Sequence, residues 1–253
     1  MKLTRVKYTI KQSKLTIETD NPQSIRLAID SVKKNREKLE AYIRKNPEFL
    51  TSYAPLEVKD APEIVNNMAK AAQEARVGPM AAVAGALADL AVDAMLVKAK
   101  VAVVENGGEI SANSNTPINV GLLAGDSSLS GKIGFRLKTK DFPIGIGTSS
   151  GTVGHAISFG EADAATIIAD NAALADAAAT AVGNVVKGED FEKSVQKGLE
   201  TAETIRGLRG SLIIRGEYAG IVGKLPQLVR IEGETWNNLK SVQNYLPPKI
   251  KLI

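Results

Sequence analysis

Residues Gly145–Asn184, GIGTSSGTVGHAISFGEADAATIIADNAALADAAATAVGN, form the stretch around which the rest of the chain is organised. It contains the only histidine of the protein, His155, in a loop rich in glycine, serine and threonine. In the alanine-rich segment that follows, Asp176 and Thr180 are four residues apart. On a helix this spacing places both side chains on one face, about 40° apart around the axis. A carboxylate beside a hydroxyl suits a hard cation, or a phosphate-bearing ligand held through one.

The composition is that of an ordinary globular protein. The chain has 253 residues, of which 44% are hydrophobic and 24% are charged, enough to build a sizeable core. It has no cysteine, which excludes disulfides, thiolate metal sites and cysteine nucleophiles. With one histidine, any metal should be bound by oxygen ligands, which favours magnesium, calcium or manganese.

The charge pattern argues against a nucleic-acid-binding protein. The net charge is only +4, and aromatic residues, which would stack on bases, make up 4% of the chain.

Met1–Ile10 lacks the apolar core of a signal peptide. The most apolar region, Pro79–Val104, is interrupted by four charged residues, so it does not predict a membrane span. We therefore expect a cytoplasmic protein.

The first 46 residues predict a β-hairpin followed by a long helix. Val6–Ile10 and Leu15–Glu18 alternate apolar and polar residues, as strands with one buried face do. Asn21-Pro22 should open an amphipathic helix that Asn46-Pro47 ends. The helix carries a basic face, which is either a solvated surface or a surface for a protein partner.

Two further helices are expected between residues 60 and 98. Asp60 is placed to cap a helix that begins near Pro62. The helix from Pro79 to about Lys98 is built from small and apolar residues, so it should be central and buried. It carries Gly85, Asp89 and Asp93 at steps of four residues. These carboxylates are either a polar stripe facing solvent or groups directed into a cleft.

The remainder of the chain predicts strands in groups and two more helices. The turn Asn106-Gly107-Gly108 should join two strands of a hairpin. Asn171 and Asp190 are expected near the starts of helices that run to about Lys187 and Gly207. Strands are expected at Val101–Val104, Glu109–Ala112, Ile118–Leu123, Ile133–Leu137, Ile144–Thr148, Ala164–Ala169, Leu212–Arg215 and Leu228–Ile231. This grouping indicates an α+β fold with a mixed, largely antiparallel sheet packed with small-residue helices, in a single domain with a flexible or packing tail at 233–253.

The loop from Thr148 to His155 offers hydroxyls and backbone amides that could bind an anion. A serine hydrolase is disfavoured, because the chain has no second histidine and because Ser149 and Ser150 are near neighbours of His155 in sequence, which seldom form a nucleophile–base pair. The glycines form neither a Walker loop nor a Rossmann fingerprint. Since His155 is the only side chain whose unperturbed pKa is near neutrality, it is the first candidate for acid–base catalysis.

Six motifs follow one another in an order that is more specific than any one of them. They are Val77–Gly85, Glu105–Ile110, Gly147–His155, Ser158–Gly160, Ala162–Ala164 and Leu174–Ala181. The ordered set resembles the uncharacterised ApbE-like family of archaea and bacteria, within the superfamily of the flavin transferase ApbE. The resemblance is strongest from about Pro47 to Asn184.

The resemblance implies a ligand set. In the transferases, magnesium is bound by the aspartate and threonine of an Asp-x-x-x-Thr helix and by the FAD pyrophosphate, which implies that Asp176 and Thr180 are metal ligands. The residues that match cofactor-binding positions are Gly85, Asp89, Gly107, Gly108, Thr148, Ser149, Ser150 and Gly151. Ala84 stands where the transferases have lysine, and their flavin-recognition segment has no counterpart here.

Two functional hypotheses follow. In the first, the protein binds a flavin, FAD or FMN, or a nucleotide through Mg²⁺, and if it is catalytic it is a transferase with His155 as acid–base group. In the alternative, it is a non-catalytic accessory protein that acts through a partner in sulfur assimilation to homocysteine, a process with which some archaeal members of the family are associated. A homo-oligomer is expected in either case, since small-residue helices favour pairing.

Overall fold

The computed structural model describes residues 2–151, 160–232, 235–238 and 251–252. The helices are α1 (Gln23–Lys45), α2 (Glu48–Thr51), α3 (Glu63–Ala75), α4 (Val83–Leu96), α5 (Ala172–Val185) and α6 (Phe191–Thr204). The strands are β1 (Thr4–Ile10), β2 (Ser13–Thr19), β3 (Val101–Asn106), β4 (Glu109–Ser114), β5 (Ile118–Gly121), β6 (Ile133–Leu137), β7 (Ile144–Ser149), β8 (Ala164–Ala169), β9 (Leu208–Arg215), β10 (Tyr218–Gly223), β11 (Gln227–Glu232), β12 (Thr235–Asn238) and β13 (Lys251–Leu252). Turns of 3-10 helix occupy Pro79–Ala82 and Thr139–Asp141.

The chain divides into two compact units, each assembled from several segments. The first unit consists of Met1–Asn115, Pro143–Gly147 and Ala169–Ala178. The second consists of Thr116–Phe142, Thr148–Ile168 and Ala179–Ile253. Strand β7 and helix α5 contribute residues to both units, so the division does not coincide with a linker. The single domain expected from the sequence stays a prediction.

In the first unit the strands follow the order β1-β2-β3-β4-β7, and every neighbouring pair is antiparallel. Helices α1, α3 and α4 supply the rest of the core. Its largest buried side chains include Ile17, Ile64, Met68 and Leu87, each no more than 1% exposed. Burial of apolar surface of this kind is the main stabilising contribution to a fold.

The second unit contains a four-stranded antiparallel sheet in the order β12-β11-β6-β5. It also contains the strands β8, β9, β10 and β13 in that order, of which β9 and β10 are antiparallel and β10 and β13 are parallel. Helix α6 packs on β9 and β10. The mixed, mostly antiparallel α+β architecture expected from the sequence is therefore confirmed.

Two local predictions differ from the structure. Asp60 does not cap α3: it has a φ of +47°, and Pro62 occupies the capping position without a side-chain hydrogen bond. The fixed φ of proline at this position sets the start of the helix instead. In addition, Glu48–Thr51 forms the short helix α2, which the sequence analysis did not predict.

One helical stretch among the described residues, Pro79–Leu96, is long and apolar enough to cross a membrane. Its composition alone is weak evidence, because core helices of globular proteins have the same character. Within the first unit, Ala86, Ala88, Ala91 and Met95 on this stretch are fully buried. It therefore has the packing expected of the central helix that the sequence predicted.

Candidate functional site

The site is built around the N-terminal half of α5, in the first unit. Asn171 caps this helix, as the sequence predicted: its Oδ1 accepts a hydrogen bond from the amide of Leu174 at 2.9 Å. Ala172, Ala175 and Ala177 in the first turns are completely buried. These small side chains allow the helix to lie close to the backbone of its neighbours.

Three glycines form the surface against which α5 packs. A Cβ atom added at Gly85 on α4 would overlap the carbonyl group of Ala172. Added Cβ atoms at Gly145 and Gly147 on β7 would overlap the backbone of Asn171 and Ala175, respectively. Only glycine permits this approach of backbone to backbone.

Asp176 is brought by this packing to the N-terminal turn of α4. Its Oδ2 accepts a hydrogen bond from the amide of Gly85 at 2.9 Å. The amide of Ala84 also favours the charged carboxylate. Even so, burial, followed by the negative charge of Glu109, raises the pKa of Asp176 well above its usual value. The carboxylate is therefore held in place but poorly compensated in charge.

Glu109 contributes the second carboxylate of the site. It follows the two-residue turn Gly107–Gly108, in which both glycines have a positive φ (+73° and +126°). Burial, with a smaller contribution from the charge of Glu105, raises the pKa of Glu109 to about 7. The sequence analysis did not single out Glu109, although it directly follows the double glycine.

Asn106 ties the β3–β4 hairpin to α4. Its side chain is almost completely buried, and its Nδ2 donates a hydrogen bond to the carbonyl oxygen of Ala84 at 3.1 Å. Gly107 and Gly108 are therefore fixed next to the turn of α4 that binds Asp176. Of the residues proposed from the sequence, Gly85, Gly107, Gly108 and Asp176 belong to this one group.

Asp89 makes a different set of contacts. Its Oδ1 and Oδ2 accept hydrogen bonds from the amides of Ala172 and Ala173, both at 2.9 Å. Burial raises the pKa of Asp89, while these bonds and one from the side chain of Ser111 oppose the shift. The side chain satisfies the first amides of α5, so its contacts are those of a helix cap.

Asp89 and Asp93 line a cavity of about 350 Å³ in the first unit, together with residues of α3, β4 and the start of α5. Asp93 is exposed, and burial together with the charge of Asp89 raises its pKa. Of the two interpretations left open for these carboxylates, a cleft fits the half-buried Asp89, whereas Asp93 lines the same cavity but remains exposed.

The remaining residues proposed from the sequence lie in the second unit or outside the described residues. Thr148 Oγ1 is 3.1 Å from Thr166 Oγ1, and the amide of Gly151 donates to the carbonyl oxygen of Ala162 at 2.9 Å. Ser149 and Ser150 are half-buried. Thr180, one turn after Asp176 on α5, is also half-buried. His155 lies outside the described residues.

The second unit contains a separate charged cluster around Arg215, which is 4% exposed. Its guanidinium group donates to Ser194 Oγ at 2.7 Å and forms an ion pair with Glu161. The same group lies 4.2 Å from the ring centroid of Phe191. The cluster borders a cavity of about 450 Å³ that includes Asp163, whose pKa burial raises. No pattern in the sequence indicated this arrangement.

Among the described residues, no three histidine, cysteine, aspartate or glutamate side chains are grouped so that they could hold a metal ion by themselves. The carboxylates of Asp176 and Glu109 are the acidic groups of the site. A divalent cation here would need further oxygen ligands from a hydroxyl, from water or from a bound phosphate.

Comparison with known proteins identifies close relatives over nearly the whole chain. The UPF0280 protein of Methanococcus vannielii is 46% identical over 236 residues, covering 92% of this chain and 95% of the relative. The UPF0280 protein of Methanocaldococcus jannaschii is 45% identical over 229 residues, covering 88% and 92%. A family model described as "AbpE bacteria" matches residues 1–206.

Solved structures with the same fold include flavin transferases. The apo form of the flavinyl transferase ApbE of Pseudomonas stutzeri superposes with a TM-score of 0.56 at 13% identity, covering 97% of both chains. The flavin transferase ApbE from Vibrio cholerae has a TM-score of 0.55 at 10% identity, covering 97% of this chain and 99% of that one. The chain therefore belongs to the AbpE bacterial family, is a relative of the UPF0280 proteins, and has the fold of the ApbE flavin transferases.

Proposed function

We propose that this protein binds a flavin or another nucleotide through Mg²⁺ at Asp176 and Thr180, and that it belongs to the group-transfer enzymes of its fold. The observation that carries the proposal is the environment of Asp176. Its carboxylate is fixed by the amide of Gly85, yet burial and the charge of Glu109 raise its pKa, and no cationic side chain among the described residues offsets these effects. A divalent ion would supply the compensating charge.

The donors present fit a magnesium ion that is shared with a ligand. Mg²⁺ in proteins is commonly bound by one or two carboxylates and completed by phosphate oxygens and water. Asp176, with Thr180 one turn along α5, offers such a partial set of oxygens. The lack of a three-residue acidic group among the described residues fits a metal site that a phosphate must complete. When bound, the ion would neutralise the charge of a pyrophosphate.

The chain's own residues would then have separate roles in ligand binding, proton transfer and positioning. The Gly107–Gly108 turn leaves room for a ligand, since a Cβ at Gly108 would meet no atom within 4 Å. Thr148–Gly151 would offer hydroxyls and amides to an anion. His155 is proposed to move the proton at the reacting end. Asp89 would act indirectly, by fixing the first turn of α5.

The fold supports this proposal, because the solved flavin transferases share it over almost their whole length. The names of the UPF0280 relatives specify no activity. We further propose a homo-oligomer in the cytoplasm, where nucleotides and Mg²⁺ are abundant. Sedimentation at micromolar concentration tests the oligomer, and a monomer there would contradict it.

Isothermal titration of the protein with FAD, FMN and ADP, each with and without MgCl₂, tests the proposal. We expect at least one of them to bind in a magnesium-dependent manner. Asp176→Asn, which keeps the shape and removes the charge, should weaken this binding by at least about tenfold, since the lost carboxylate is a proposed metal ligand. Thr180→Val should have a smaller effect in the same direction.

Asp93→Asn is the matched control, because Asp93 is an exposed carboxylate of the same unit and outside the Asp176 group. It should leave the affinity and its magnesium dependence unchanged. The proposal is wrong if none of the three compounds binds, or if Asp176→Asn and Asp93→Asn behave alike. His155→Ala should preserve binding and abolish transfer.

The accessory role remains a second candidate because of one observation. Residues 1–46 contain twelve Lys and Arg against five Asp and Glu, a net charge of +7, whereas the whole chain carries only +4. A concentration of charge in one segment is typical of surfaces that select a partner of opposite charge. The sulfur-assimilation role itself stays a proposal.

A further inference from the structure

We infer that β1, at the edge of the first unit's sheet, is a docking site for an acidic, extended segment of another protein, which would add to the sheet as a further strand. Among the described residues, β1 has one neighbour in the sheet, β2. An edge strand of seven residues presents a row of backbone donors and acceptors that a second chain can pair with.

The register of the hairpin identifies which backbone groups face outward. The carbonyl oxygen of Lys14 on β2 accepts a hydrogen bond from the amide of Gly107, so the backbone at position 14 faces β3. Lys14 pairs with Thr9 across the β1–β2 ladder. Because hydrogen-bonded and non-hydrogen-bonded pairs alternate, the backbone groups of Thr9, Lys7 and Arg5 face the open edge.

The side chains at these positions are exposed, and two of the three are basic. Arg5, Lys7 and Thr9 are all exposed, as is Lys14 opposite Thr9. Neither Arg5 nor Lys7 forms an ion pair with any described residue. The open backbone and the unpaired cations therefore lie at the same residues, which favours an incoming strand that carries carboxylates.

The opposite face of β1 is partly covered by the protein itself. Val6, Tyr8 and Ile10 alternate with the basic residues and so share the face of Leu15 and Ile17, which are buried. On that side, the Nζ of Lys33 on α1 lies 5.7 Å from the centroid of the Tyr8 ring. A docked strand would therefore extend the sheet at an edge that is exposed on one face and partly covered on the other.

The same residues argue against other occupants. A second copy of β1 in antiparallel pairing centred on Lys7 would place Lys7 opposite itself, and like charges directly opposite are destabilising. Lysine on an edge strand is a common protection against self-association. A nucleic acid would use the charges alone and would leave the backbone groups of the edge without a partner.

The test uses the full-length protein and a fluorescein-labelled octapeptide of alternating glutamate and valine, followed by anisotropy. We expect saturable binding that weakens by about tenfold in Lys7→Glu, since one close charge pair is replaced by a repulsion. Thr9→Pro should also weaken binding by about tenfold while keeping every charge, because it removes an outward amide. Circular dichroism checks that each variant is folded.

Lys45→Glu is the matched control, since Lys45 is an exposed lysine twelve residues after Lys33 on α1, about 18 Å farther along that helix. It should leave the affinity unchanged. Absence of binding, or an equal affinity for a short labelled DNA duplex, would overturn the inference. So would a folded Thr9→Pro variant that binds like the parent, because binding would then depend on charge alone.

Discussion

The carboxylate of Asp89 accepts a hydrogen bond from the amide of Ala172 at 2.9 Å, although the two residues are 83 positions apart in the chain. The other oxygen of the same carboxylate binds the amide of Ala173. A side chain of α4 therefore satisfies the first turn of α5. Since α5 also carries Asp176, the position of the candidate ligand site depends on this contact.

Asp89→Ala should destabilise the protein by about 2 kcal/mol, because it leaves two partly buried amides without an acceptor. Urea denaturation at pH 7 measures the change. Asp93→Ala, one turn along α4 and exposed, should change stability by less than about 0.5 kcal/mol. Equal losses in the two variants would show that Asp89 does not act as a cap.

Glu109 should make stability depend on pH. Its pKa is raised to about 7 in the folded protein, from an ordinary value of 4.5. The folded protein favours the neutral form of such a carboxyl group. Its contribution to the free energy of unfolding is therefore complete below pH 4.5 and is lost as the pH rises through 7. Glu109→Gln keeps the neutral form at every pH, so it should be stabilising at pH 8 and nearly neutral at pH 4.5.

The measurement is the difference in Tm between Glu109→Gln and the parent at pH 4.5 and pH 8. After allowance for partial exposure of the group, we expect a gain of about 2–4 °C at pH 8. Glu37→Gln, at an exposed position on α1, is the control and should show no such pH dependence. A gain at pH 4.5 equal to that at pH 8 would contradict the assignment.

Two glycines within helices should respond differently to alanine. Gly85→Ala should lower the free energy of unfolding by more than about 2 kcal/mol, because the new Cβ would overlap the backbone carbonyl of Ala172. At Gly198 on α6 the nearest atoms are methyl groups of the buried Ile213 and Val186 side chains and not backbone. Gly198→Ala should therefore destabilise the protein less than Gly85→Ala, since side chains yield more easily than backbone and alanine favours the helix by about 1 kcal/mol.

Chemical denaturation of the two variants side by side checks this contrast. In Gly85→Ala we also expect weaker ligand binding, because the amide that holds Asp176 would be displaced. If Gly85→Ala were as stable as the parent, α4 and α5 would not be in the close contact described.

Arg215→Lys should destabilise the second unit by about 1–3 kcal/mol. A lysine ammonium lacks the planar fork that lets Arg215 reach Ser194 and Glu161 while stacking on Phe191. Arg26→Lys is the comparison, because the side chain of Arg26 is 89% exposed and its only described partner is Asp30. Thermal unfolding should distinguish the two variants, and equal Tm values would refute a specific role for the guanidinium group.

Local patterns were sufficient to predict much of the fold. The β1–β2 hairpin, the limits of α1 and the Asn171 cap all follow from alternation and capping rules that act over a few residues. The strand β10 was not predicted, because Gly220 and Gly223 lower its apparent strand propensity. It forms because β9 supplies an antiparallel neighbour through all six of its residues.

The site was only partly predictable, for a related reason. The spacing of Asp176 and Thr180 is visible in the sequence, as is the Gly107–Gly108 turn. Two features of the site depend on contacts between residues far apart in the chain. Asp89 caps α5, and Glu109 adds to the effect of burial in raising the pKa of Asp176. No periodicity or short motif contains such information.

The discontinuous first unit has a consequence for how the protein is synthesised. Its last segment, Ala169–Ala178, supplies the partners of Asp89 and Gly85. A nascent chain must therefore emerge from the ribosome to about residue 178 before the N-terminal 115 residues can complete their contacts, and non-local contacts of this kind form slowly. The second unit's earlier segments must remain without their final partners in the meantime. The N-terminal 115 residues are thus not a module that could be excised, expressed alone or exchanged between proteins.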